Sequence, residues 1–156
     1  METLNTLLND LESKIEYSDC INIHVSQREV SWHMAHSLKV VGNIIKALQN
    51  SNPEEYHWQF NRNRSFVYIL NHIPRGKGKA PKSVLPADDI TIIQLQQELN
   101  TVRQLVLELE HLNPKSNFKH PYFGQLNLKQ TKKFLDIHTK HHLKIIDDII
   151  KKNRPT

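Results

Sequence analysis

Ten histidines occur in this chain, and the run His138-Thr139-Lys140-His141-His142 holds three of them. Each helical residue advances about 100° around the axis, so His138 and His142 lie one turn apart on nearly the same face. With His138 set at zero, Leu135, Ile145, Ile146 and Ile149 fall within about 80° of it, and Leu128 and Phe134 share that arc. Asp136, Lys140, Lys144, Asp147 and Lys151 take the opposite side. His138 and His142 therefore sit mid-stripe on an apolar face, with His141 toward its margin. Two imidazoles buried there need partners for their ring nitrogens. A divalent ion takes one nitrogen of each and leaves the other to an outer acceptor. The alternative is a pair satisfied by neighbouring side chains or water. The spacing lacks the Glu that makes H-E-x-x-H a protease signature.

A catalytic zinc-type site commonly has three protein ligands plus water. His24, His33, His36, His72 and His120 are candidates for the third, and helix periodicity leaves the choice open. Zinc or nickel suits imidazole ligands. Either ion can lower the pKa of bound water toward ~7 or hold a thiolate. A hydrolase would also need a general base. No carboxylate offers itself, since Asp136 and Asp147 face away from the histidines; His120, His33 and His141 are candidate proton carriers.

Two loop segments could contact a substrate. The basic stretch 75–82 offers Arg75 and Lys77 to an anionic small molecule or to the carboxylates of a thiol cofactor. Its glycines would let backbone amides approach an anion, although a solvated loop is the plainer reading. It has no Walker-type pattern. In His120-Pro121-Tyr122-Phe123-Gly124, Tyr122 and Phe123 could shape a pocket or plug the end of the fold.

Helices must position these groups. Leu4, Leu7, Leu8, Leu11 and Ile15 predict a first helix over 2–17. Ser26 and Glu29 have capping-box spacing and predict a second over 26–49. Pro53, Glu54 and Glu55 predict a third, opening at 53 and running to 72. Residues 74–86, with three Pro and two Gly, read as a loop. Asp88 or Asp89 could cap a fourth helix that keeps its period to 112, where Asn113 and Pro114 stop it. Asn127 could cap a last helix over 128–152. No strand is predicted. The expectation is a single all-α domain over 1–156, an up-down four-helix bundle with an additional short helix or long loops.

Composition limits the function classes. The net charge of +5 and pI of about 9.3 come without a basic stripe interleaved with aromatics, so no nucleic-acid partner is expected. No apolar run reaches the ~20 residues needed to span a bilayer, and the first ten residues lack a secretory apolar segment. The single cysteine, Cys20, cannot form an internal disulfide, so the cytoplasm is the simplest location.

The segment Ser31-Trp32-His33-Met34-Ala35-His36-Ser37-Leu38 resembles the DinB-like motif, a Trp early in the second helix followed four residues later by a metal-binding His. His138-x-x-x-His142 resembles the second motif of that superfamily. The segments 74–81 and 120–124 resemble a DinB-related group classed as a domain of unknown function. The resemblance implies the ligand set His36, His138 and His142 at the centre of a bundle, often in a homodimer. Trp32, one turn before His36, reads as packing. The implied activities are metal-dependent hydrolysis and transfer reactions that use a low-molecular-weight thiol. The rival readings are a non-enzymatic metal-binding protein and a protein-interaction helical bundle.

Overall fold

The computed structural model describes residues 2–76, 80–87 and 89–153. Five helices carry most of the chain: α1 (Glu2–Glu12), α2 (Val30–Gln49), α3 (Arg62–Leu70), α4 (Ile92–Glu108) and α5 (Leu128–Asn153). Between α4 and α5 runs a two-stranded antiparallel hairpin, β1 (Asn117–His120) and β2 (Gly124–Asn127). The two helices that carry the histidines, α2 and α5, pack against each other, and α4 packs on α2. The short α1 lies against α5 and α4. Leu8, Leu11, Val30, Ile45, Leu48, Val106, Leu135, Ile146 and Ile149 are fully buried where these helices meet. No helix among the described residues is long and apolar enough to cross a membrane.

The hairpin corrects the expectation of a fold without strands. Each strand is four residues long, too short for alternation to register in the sequence. Its register pairs Phe118 with Leu126 and His120 with Gly124. Gly124 adopts a φ of 70°, a left-handed conformation that glycine enters without strain. The histidine beside the turn helps to close it: the Tyr122 and Phe123 amides donate to His120 Nδ1 at 3.1 and 3.2 Å.

Other boundaries differ for local reasons. α1 stops at Glu12, and Ile15–Tyr17 forms a separate 3-10 turn. The capping box expected at Ser26 does not form; α2 starts at Val30, and Ser26 Oγ accepts from the Arg28 amide instead. Pro53–Glu55 is a single 3-10 turn, not the start of α3. The chain then runs without helix to Asn61, held beside the hairpin by the His57 amide donating to Gln125 Oε1 at 2.9 Å. Asn61 caps α3 through the Arg64 amide. α4 is capped by a box between Thr91 and Gln94, not by an Asp; Asp88 lies outside the described residues. The last helix starts where expected: Asn127 Oδ1 accepts from the Gln130 amide at 2.9 Å, and Gln130 Oε1 accepts from the Asn127 amide at 3.1 Å.

Candidate metal centre

His36 on α2 and His138 and His142 on α5 converge. One ring nitrogen of each lies within 4.8 Å of the others, close enough to share an ion. The ring centroids are 5.3 Å apart for His36 and His138, 4.8 Å for His36 and His142, and 4.6 Å for His138 and His142. On the α2 side Trp32 stacks on His36 at 5.1 Å and 11° and meets His33 edge-on. Trp32 packs as its position suggested, and it also forms part of the cavity wall.

The outer nitrogens are held in an order suited to metal binding. His36 Nδ1 lies 2.9 Å from the Val84 carbonyl. A carbonyl only accepts, so Nδ1 carries the proton and Nε2 keeps its lone pair. His142 Nδ1 lies 3.1 Å from His33 Nδ1, and His33 Nε2 lies 2.9 Å from Ser26 Oγ. With His142 Nε2 on an ion, its Nδ1–H donates to His33, and His33 Nε2–H donates to Ser26. This chain from imidazole to imidazole to hydroxyl gives the His142 ring an outer acceptor of the kind found in metal sites. His138 is different: its Nδ1 is buried and has no hydrogen-bond partner. A buried polar atom without a partner is costly, and it marks His138 as a ring whose polar needs the described protein groups do not meet. The residues present thus fit a divalent metal.

Burial keeps these rings neutral, the form that ligates. It lowers His36 and, with neighbouring imidazoles adding to the effect, drives His138 and His142 well below the ordinary histidine range. Burial also takes His33, His141 and His120 down to about 4. For His120, which lies outside the triad on the hairpin, the sign of the linkage is clear. Its unfolded value is about 6.5 and its folded value about 4, so the unfolded state binds more protons between them. Its contribution is complete above pH 6.5 and is lost as pH falls toward 4. Metal-free protein should therefore show a falling melting temperature across that window, and His120→Gln should show a smaller fall. An equal fall in the variant would mean that His120 contributes nothing to the acid sensitivity.

A cavity of about 600 Å³ opens onto His36, His138 and His142. Its walls come from α2, α5, the hairpin and residues of 73–76 and 80–85. No Asp, Glu, Lys or Arg is among the described residues that line it. Asp147 pairs with Lys14 at 2.8 Å, and Asp148 with Arg75 at 2.7 Å.

The remaining candidates are spread around this centre. His120 lines the cavity, its ring stacked on Phe123 at 4.4 Å and edge-on to Phe134 at 4.6 Å. Tyr122 also lines it and is 45% exposed. His33 is buried behind His142, outside the cavity wall. Arg75 opens on a second, smaller cavity with His72, Lys140 and Lys144, and His141 stands between the two. Lys77 lies outside the described residues, and His24 and His72 are exposed. Sequence reasoning did not find two supports of the triad. The Val84 carbonyl left no signal, because a backbone acceptor is independent of residue type. Ser26 carried a signal, but its spacing pointed to a helix cap.

No protein-family model matches the chain, and neither a curated protein nor a solved structure matches it.

Proposed function

We propose that this protein is a metal-dependent enzyme of the DinB-like type, acting on a small molecule at a three-histidine zinc or nickel centre by hydrolysis or thiol transfer. The observation that carries this reading is the partnerless buried Nδ1 of His138, beside two imidazoles whose outer nitrogens are already engaged. When bound, the ion supplies a Lewis acid that holds hydroxide or thiolate at neutral pH. The chain supplies the rest. Val84 and His33 orient His36 and His142, Trp32 packs on His36, and the hairpin and residues of 73–76 and 80–85 wall the cavity. Thiol transfer suits the cavity better than hydrolysis, since a bound thiolate needs no carboxylate base and none is present among the described lining residues. A homodimer in the cytoplasm, where Cys20 stays a thiol, belongs to the same reading.

The test is turnover by zinc- or nickel-loaded protein of an ester substrate and of an electrophile paired with a thiol. Metal-dependent turnover is expected in wild type and not in His36→Ala. His33→Ala should need about 10–100-fold more metal for half-maximal rate, as for loss of an outer partner, with part of the affinity returned in His33→Gln. No metal-dependent rate on either class would contradict an enzymatic function. An unchanged metal requirement in His33→Ala would contradict the orienting role of His33.

A further inference from the structure

The walls of the cavity restrict what can enter it. Trp32, Phe118, Phe123 and Phe134 supply aromatic faces, and Val40 and Ile44 add an aliphatic floor. The Asn43 amide is engaged, donating to the Ser83 carbonyl at 3.3 Å. Arg75, between the lining residues Pro74 and Gly76, is held by Asp148 and opens on the other cavity. A ligand that carried carboxylates or ammonium groups along the walls away from the histidines would lose their hydration and meet no compensating charge among the described wall residues. An apolar body would gain by leaving water. At about 600 Å³, the volume falls within the usual range for small-molecule sites, roughly 300–1,000 Å³. Residues of 73–76 and 80–85 and the hairpin form the remaining walls, and Leu85 and Tyr122, 42% and 45% exposed, reach from them toward solvent.

From these walls we infer that the ligand class of this cavity is a small molecule with an uncharged aryl or alkyl body and one polar head directed at the three histidines. The head rests on the metal reading above, whereas the body is set by the walls alone. The several charges along a peptide-like thiol find no partner among the described walls of this cavity.

The test uses a neutral fluorescent probe, N-phenyl-1-naphthylamine, titrated into metal-free and zinc-loaded protein, with metal content measured on the same samples. Phenylmethanethiol, 2-mercaptoethanol and glutathione then compete for the site. The expected result is saturable probe binding and displacement by phenylmethanethiol at about tenfold or more lower concentration than by 2-mercaptoethanol, the gain expected when a phenyl ring leaves water. Glutathione should not displace the probe. Leu85→Glu, a change at a partly exposed site, should weaken probe binding about tenfold without altering metal content. Apolar selectivity in protein that takes up no zinc would uphold the ligand class and overturn the metal centre. Displacement by glutathione as strong as by phenylmethanethiol, absence of probe binding, or indifference to Leu85→Glu would overturn the ligand class.

Discussion

Zinc at about a thousand times its dissociation constant should raise the melting temperature by roughly 8–16 °C, and the same zinc should raise that of His142→Ala by about 3–6 °C or less. An ion that binds only the folded state at that excess stabilises by about 4.1 kcal/mol. Each kcal/mol moves the melting point by about 2–4 °C for a chain of this size. His142 is the most informative position because it touches every part of the centre: its ring faces His36 and His138, and its Nδ1 meets His33. Its loss removes a ligand and also leaves His33 Nδ1 without its partner. The affinity should fall more than about 100-fold, the upper end of the effect of losing an outer partner alone. Thermal melts of chelated and zinc-treated samples decide the matter. A shift of similar size in wild type and variant would place the stabilising zinc elsewhere.

Replacing Arg64 by alanine should lower the unfolding free energy by about 3 kcal/mol, twice the lower bound for a hydrogen bond to a charged group. Arg64 is 5% exposed, unusual for arginine. Its guanidinium donates to the carbonyls of Phe123 at 3.4 Å and Gln125 at 3.3 Å, and to that of Gln59. One side chain on α3 thus ties the hairpin and the segment before α3 together. Truncation takes a donor from three carbonyls at once, and water recovers only part of the loss. Hydrogen exchange at 117–127 should accelerate, because the hairpin loses its anchor. Metal affinity should hold, since the three ligands come from α2 and α5. Arg64→Lys should restore part of the stability, as it offers donors without the planar fork. Urea unfolding of the three proteins is the measurement. A change in Arg64→Ala under about 0.5 kcal/mol, the usual range for a surface substitution, would show that these hydrogen bonds hold nothing.

The α5 half of the centre was legible in the sequence because a one-turn spacing places His138 and His142 together whatever the surrounding fold. The α2 half was not legible from periodicity. His33 and His36 both fall near the edge of the apolar arc, yet both are buried, because α2 is covered by α4, α5, β1 and the 3-10 turn Lys82–Val84. A helix enclosed on several sides has no single apolar stripe from which to choose. The resemblance to DinB-like proteins singled out His36; the structure places His36 beside the α5 pair and puts His33 behind it. The hairpin escaped notice because its strands are short and its Pro and Gly read as loop punctuation. The split of the third predicted helix escaped because Pro53 and the acids after it suit the start of either a 3-10 turn or an α-helix. What Arg75 does was hidden for another reason: its partner, Asp148, lies 73 residues away in sequence.

The central claim is a metal ion on His36, His138 and His142, and metal content of tag-free protein by mass spectrometry tests it most directly. About one equivalent of zinc or nickel per chain is expected, lost in His36→Ala, His138→Ala and His142→Ala while circular dichroism shows the helices intact. Wild-type protein that carries no zinc or nickel and takes up none when it is added, or variants that keep a full equivalent, would contradict it.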